Sequence, residues 1–312
     1  MSAPIFSRSE AFERNRGLIS SAEQEKLAGS LVVIAGCGGV GGSHAHTCAR
    51  LGIGRFRIAD ADTFSVANMN RQIGATLQTI DRNKAEVTAE MIRSINSEAT
   101  VEISAENITA GNVADFVKGA DLIIDGVDFF ALPARRQLFR AAWQAGIPAL
   151  TAAPLGFSGT LHVFAKGGMS FDEYFDIRDE QDPFDQLIRF FVGLAPSGLH
   201  LPYMDLGSVD MQSGRGPSSI LGCQMAASLA GGEAIKIILQ RRGSLLAPEY
   251  LQVDCYRQLL RKRRLRGGNR NWLQRIKRAL LTRKLRALGL DQTLKNSAAV
   301  GSAGTSSHFS KQ

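Results

Sequence analysis

The chain has 312 residues, 44% apolar and 21% charged, an ordinary balance for a soluble globular protein with room for one large α/β domain or two small ones. Its net charge of +8 is unevenly spread: thirteen of the 37 Lys and Arg residues lie in residues 256–290, which hold no acid, so the rest of the chain is net acidic. No apolar run is long enough for a membrane helix, residues 1–16 lack the apolar core of a signal peptide, and Cys37, Cys48, Cys223 and Cys255 show no CxxC spacing. A cytoplasmic protein without a disulfide framework or structural zinc is expected.

Residues 12–29 read as an N-terminal helical arm, with Ser20 and Glu23 spaced for a capping box and Arg14 and Arg16 as solvated charges just ahead of it. Leu31 to Ala35 is a run of apolar residues that suits a fully buried strand. Gly36, Gly38 and Gly41 follow at GxGxxG spacing, with Gly39 between them, and Ser43 to Leu51 continues with helical character. Strand, glycine turn and helix start together predict a phosphate-binding unit, where the backbone approaches a phosphate and the helix offers free N–H groups. NAD, FAD and ATP all remain open at this point.

A second strand, 54–60, ends in Asp60, placed about twenty residues beyond the glycines, as a ribose-binding acid is. The following loop holds Asp62, Asn68, Asn70 and Arg71, and Lys84 opens the helix after it. Two acids, an Asn and an Arg have no evident use to a nicotinamide enzyme, whereas Arg71 and Lys84 suit a triphosphate. Residues 121–128 form another buried strand ending in Asp128, a candidate Mg²⁺ holder or, alternatively, the N-cap of the next helix. Further strands are expected at 101–103, 147–151, 159–164 and 251–254, and a long apolar helix at 220–239. Alternation of strands and helices through residue 150 predicts an α/β, doubly wound, mostly parallel sheet.

His162 reads as a structural histidine in an apolar strand, and His44 and His46, two apart on one helix, face different ways and make no metal pair. Residues 167–216 look loose, with Asp172, Glu173, Asp176, Asp179, Glu180, Asp182 and Asp185 as an acidic solvated or partner-facing surface. Residues 261–290 form a basic amphipathic segment that suits an anionic membrane, an acidic partner or its own domain, and 291–312 a disordered tail.

The order Arg14-Asn15-Arg16, the 36–41 turn, Asp60-Ala61-Asp62, Asn68-Met69-Asn70-Arg71-Gln72, Lys84 and Asp125-Gly126-Val127-Asp128 resembles the ThiF/MoeB/HesA family. These are bacterial relatives of the enzymes that activate ubiquitin-like proteins. The resemblance runs from about Phe12 to Leu239, with a weaker echo at 251–263. It implies a Rossmann-like fold with an antiparallel C-terminal extension of the sheet, spanning 30–260 with a crossover segment at 167–216. It also implies ATP-dependent adenylation of a carboxylate, of a ubiquitin-like protein, a peptide or a small acid, with release of pyrophosphate.

By position, Gly36, Gly38, Gly39 and Gly41 would line the phosphates and Asp60, with Asp62 beside it, would hold the ribose. Asn68, Arg71 and Lys84 would bind the triphosphate, and Asp128 would hold Mg²⁺. Arg16 would reach into the partner subunit's site, which implies a homodimer. The chain departs from many relatives in having no CxxC pairs, no cysteine in 167–216, and Phe129 where the family has Asn after the magnesium acid. Cys223 and Cys255 read as buried apolar residues. The competing readings are an NAD- or FAD-binding oxidoreductase and a non-catalytic nucleotide-binding scaffold with a basic anion-binding tail.

Overall fold

The computed structural model describes residues 6–205 and 216–287, so the expected tail at 291–312 and part of the 167–216 segment lie outside the described residues. Helix α1 (Arg8–Ala11) and a 3-10 turn at Glu13–Asn15 precede α2 (Ser21–Gly29). The expected arm is therefore helical mainly in its second half. Gly17 interrupts it with a φ of +90°, a value glycine adopts freely and other residues do not. The capping box at the start of α2 is present: the Ser20 N–H donates to the Glu23 carboxylate at 2.9 Å, and the Glu23 N–H donates to Ser20 Oγ at 3.3 Å.

The remaining elements run β1 (Leu31–Ala35), α3 (Gly39–Arg50), β2 (Arg55–Ala59), α4 (Lys84–Ile95), β3 (Thr100–Ser104), α5 (Val113–Val117), β4 (Leu122–Asp125) and α6 (Leu132–Ala145). Then come β5 (Ala149–Leu155), β6 (Ser158–Phe164), α7 (Phe171–Phe175), α8 (Pro183–Leu194), α9 (Ile220–Ile238), β7 (Glu249–Asp254), β8 (Leu259–Arg264) and α10 (Trp272–Ala287). The eight strands form one sheet in the order β3-β2-β1-β4-β5-β6-β7-β8. The first five are parallel and β6, β7 and β8 are added antiparallel.

Strand β1 sits inside this sheet, and its side chains alternate between two cores. Val32 and Ile34 join one with residues of α2, α3, α4 and α9, while Leu31, Val33 and Ala35 join the other with residues of α5, α6, α7 and α8. Both faces are covered, which is why the strand reads as an unbroken apolar run rather than an alternating one. Strand order reverses direction at β1–β4, and the loops leaving these two strands open a crevice at their C-terminal ends.

Three regions depart from the sequence reading. Residues 259–264, counted almost wholly with the basic segment, pair along their length with β7 as an edge strand whose charges obscured its periodicity. The stretch read as loose contains α8, capped by Asp182, with Phe184, Leu187, Ile188, Phe190 and Leu194 buried. The acidic surface is also largely paired rather than merely solvated. Asp172 and Asp179 meet Arg136 and Arg140, and Asp176 meets Arg189 and Arg278. Cys223 is buried as expected, but Cys255 is exposed, its Sγ donating to the Phe157 carbonyl at 3.1 Å. Among the described residues no helix is long and apolar enough to cross a membrane.

His162 lies fully buried on β6, its Nε2 2.9 Å from the Leu194 carbonyl and 3.2 Å from Thr160 Oγ1. Burial pulls its pKa from 6.5 down to about 4, and burial does the same to His44 and His200. Between pH 6.5 and 4 the unfolded chain takes up protons that the folded chain refuses, so stability is lost on acidification. The melting temperature should fall steeply over that window, and His162→Gln should flatten the fall by about one proton's contribution; a flat profile would contradict this assignment.

Candidate nucleotide site

The crevice is built on glycines because two backbones cross there. Gly36 has a φ of +90°, and a Cβ on it would lie 2.1 Å from the Gly126 carbonyl oxygen. A Cβ on Gly41 would lie 1.8 Å from the Gly36 carbonyl oxygen, so the turn closes on itself only without side chains. The Gly126 N–H donates to the Ala35 carbonyl at 2.8 Å and the Gly36 N–H to the Ala59 carbonyl at 2.7 Å. These bonds tie the ends of β1, β2 and β4 together. Helix α3 starts at Gly39 with Gly38 as N-cap and no side-chain cap, which leaves its first N–H groups turned to the crevice.

Asp60 follows β2. Its carboxylate accepts from the Cys37 N–H at 2.7 Å and from the Asp62 N–H at 2.9 Å, which fixes it beside the glycine turn. Burial raises its pKa, against the pull of Lys84 and of the two N–H donors. Lys84 is only 7% exposed, and its Nζ lies 2.9 Å from Asp62 Oδ2, whose own side chain is exposed. A cation is thus held at the crevice rim by an acid that remains open to water.

Arg71 is anchored by Nη1 donating to the Ala67 carbonyl at 3.0 Å and to Asn70 Oδ1 at 2.9 Å. A Cβ on Gly39 would lie 3.4 Å from Arg71 Cγ and 3.1 Å from Cys223 Sγ, so arginine, glycine turn and the start of α9 converge. Asn70 Nδ2 donates to the Ser218 carbonyl at 3.0 Å, binding the loop to α9. Asn68 Oδ1 accepts from the Ser65 N–H at 3.0 Å, a cap for the short turn that presents Arg71, so part of its side chain is structural.

Asp128 is exposed on the β4–α6 loop. Its Oδ1 accepts from the Phe130 N–H at 2.9 Å; the N-cap of α6 is Ala131, so Asp128 holds a turn and does not cap the helix. The loop is pinned from beneath by Arg135, which the sequence reading had not singled out. Its Nε donates to Asp125 Oδ2 at 2.7 Å, and its other nitrogens reach the carbonyls of Val127, Asp128 and Phe129. Phe129 packs with Phe130, Phe190 and Phe191 and so fastens the same loop to α8.

Arg16 stands apart from this group. Its side chain is 70% exposed and its ion pair is with Glu13 at 3.7 Å. The structure thus gathers the glycines, Asp60, Asp62, Arg71 and Lys84 at one crevice, puts Asp128 two residues beyond the Gly126 that touches the turn, and leaves Arg16 outside within a single chain.

A nucleotide fits what is present. Gly36, Gly38, Gly39 and Gly41 put no Cβ into the turn, the α3 N-terminus has no side-chain cap, and the buried Gln72 Oε1, on the side chain that neighbours Gly38, has no hydrogen-bond partner among the described residues. No three His, Cys, Asp or Glu side chains converge as a metal site among the described residues. A cation here would rest on Asp128 and phosphate oxygens, the sparse donor set that magnesium accepts.

Fold and turn define a doubly wound α/β protein with a glycine-lined crevice at its topological switch point. More narrowly, the chain belongs to the ThiF family, whose family model matches residues 12–273. It is 33% identical over 140 residues to the sulfur carrier protein ThiS adenylyltransferase of Escherichia coli K12, covering 45% of this chain and 55% of that protein. The chain spans about half the length of the curated relatives it matches. Among solved structures, PaaA superposes with a TM-score of 0.64 at 20% identity, over 85% of this chain and 86% of that one. Escherichia coli MccB with ATP superposes at 0.59 and 20% identity, over 79% and 66%.

Two substitutions test the frame of the site. Gly41→Ala should cost about 1–3 kcal/mol in urea denaturation, because its Cβ forces the turn apart. Arg135→Met should cost about 3–5 kcal/mol by stranding the buried Asp125, and Asp125→Asn in the same chain should recover much of it. A wild-type denaturation midpoint for Arg135→Met would sink the view of this pair as the loop's anchor.

Proposed function

We propose that this protein activates a carboxylate by ATP-dependent adenylation. The observation that carries the reading is the pairing of a glycine-rich turn with two cations, Arg71 beside Gly39 and Lys84 on Asp62, at one crevice. A dinucleotide site needs the turn and the acid but not the cations. A triphosphate needs all of them.

In this reading the 36–41 turn and the α3 N-terminus line the phosphates, and Asp60, held by its two N–H donors, orients the ribose with Asp62 next to it. Asn68, Arg71 and Lys84 neutralise the triphosphate, and Asp62 releases Lys84 in part when phosphate competes for it. Asp128, exposed and with Oδ1 accepting from the Phe130 N–H, would hold Mg²⁺, which supplies further charge neutralisation at the phosphates when bound.

An oxygen of the substrate carboxylate attacks the α-phosphorus, the bond from that phosphorus to the bridging oxygen breaks, and pyrophosphate leaves with the electron pair. No protein nucleophile is needed; the site aligns the two anions and stabilises the charge that moves to the leaving group. The substrate class is a carboxylate at a protein or peptide C-terminus or on a small acid. Residues 167–216 hold no cysteine, so the proposed product is the acyl-adenylate itself. Arg16, exposed on the N-terminal arm, would complete the site of the other subunit in a homodimer.

Exchange of labelled pyrophosphate into ATP, with Mg²⁺ and a panel of carboxylate substrates, tests this. Arg71→Ala, Lys84→Ala and Asp128→Ala should each lower exchange about 10²-fold or more while leaving the melting temperature near wild type. Exchange that survives both Arg71→Ala and Asp128→Ala would remove those assignments. Calorimetry showing tight NAD binding and no ATP binding would reverse the reading altogether.

A further inference from the structure

Helix α10 is held to the body by an unusually polar inner side. Gln274 and Leu285 are buried, and Gln274 Nε2 donates to the Val192 carbonyl at 3.1 Å. Lys277 Nζ donates to the Pro196 carbonyl at 2.6 Å, and Arg278 pairs with Asp176 at 3.2 Å. Leu281 and Leu285 add apolar contact with the cluster that includes Phe184, Leu187 and Ile188.

The outer side is the more apolar one. Trp272, Ile276 and Leu280 recur every four residues and are 65%, 48% and 62% exposed, with Leu273 beside them at 48%. Spacing of this kind puts them on one face of a helix. An ordinary surface helix turns such a row inward and its charges outward. This one turns Leu281 and Leu285 inward but leaves the row of Trp272, Ile276 and Leu280 exposed.

Charge flanks the row. Arg275, Arg283 and Arg286 line an open groove of about 570 Å³ together with Arg189, Arg278 and Asp185. Arg189 and Arg278 are taken up by Asp176, and Arg189 also by Asp185. Arg275, Arg283 and Arg286 have no carboxylate partner among the described residues, and residues 255–290 contain no acid at all. Exposed arginines without a carboxylate partner among the described residues suit bidentate bonding to phosphate.

We infer that α10 seats this protein on an anionic membrane surface, with Trp272, Ile276 and Leu280 entering the headgroup boundary and Arg275, Arg283 and Arg286 holding lipid phosphates. The row lies on the exposed outer side of α10, where it can meet a deformable, planar apolar boundary. Tryptophan with aliphatic neighbours, flanked by arginine, is the composition of a helix that lies in that boundary. Complementary charge selects anionic over neutral lipid. This inference does not depend on the adenylation reading.

Flotation of the full chain with vesicles tests it, using phosphatidylcholine alone and phosphatidylcholine with one-third phosphatidylglycerol. The protein should float only with the anionic vesicles, and added salt should release it. In a Trp143→Phe background, Trp272 emission should shift to the blue on binding. Trp272→Ala with Ile276→Ser and Leu280→Ser, and separately Arg275→Glu with Arg283→Glu, should weaken partition at least tenfold. All five side chains are exposed, so the melting temperature should stay near wild type. Absence of flotation, equal binding to neutral vesicles, or binding that survives both variants would overturn the inference. So would self-association, or capture of polyglutamate or duplex DNA without lipid binding, if the same variants abolished it.

Discussion

The contact on which the crevice depends is a backbone crossing with no side chains in it. Gly36, Gly41 and Gly126 approach so closely that a single Cβ at any of them would meet main-chain atoms, in the tightest case at 1.8 Å. The crossing lets the loop from β4 lie against the glycine turn that follows β1, with Gly126 and the Val127 N–H next to Gly36. It also brings the N-terminus of α3 to the surface without a cap. Asp60 and Arg71 are positioned against the turn that it closes, through the Cys37 N–H and Gly39.

Rigidity is supplied by polar anchors beneath the loops. Arg135 is almost wholly buried and spends its guanidinium on Asp125 and three carbonyls of the loop that carries Asp128. Asn70 and Ser218 bind the Arg71 loop to α9, and Asn68 gives half its amide to a turn. A site that stabilises charge in motion works by holding its dipoles and cations still, so in the proposed adenylation such anchors serve the chemistry as well as the stability. Phe129, at the position that departs from the family pattern, fills an aromatic cluster under the same loop.

Electrostatics divides the molecule in two. Acids in the segment after β6 are matched by Arg136, Arg140, Arg189 and Arg278, drawn from three helices, so the apparent acidic surface is a set of tertiary ion pairs. On the outer side of α10 no such matching occurs among the described residues, and apolar side chains are left outward among unpaired arginines. The crevice lies within the part of the chain that the ThiF family model matches, and α10 lies almost wholly beyond it.

Fold class, the parallel order of β1 to β5, the glycine turn and the pairing of Asp60 with the turn were legible in the sequence, because each rests on local signals: apolar runs, GxGxxG spacing, an acid at a strand end. The antiparallel strand β8 and helix α8 were not, since charge hid the periodicity of one and mixed composition that of the other. Nor could spacing show that Arg135 lies under Asp128, that Arg71 meets both Gly39 and Cys223, or that Arg16 stays outside the crevice of its own chain. The sequence by itself determined which groups are present and what they favour locally. Only the tertiary structure decided which charges meet, because pairing across 36 or 102 residues is set by how helices pack on the sheet and not by any local preference.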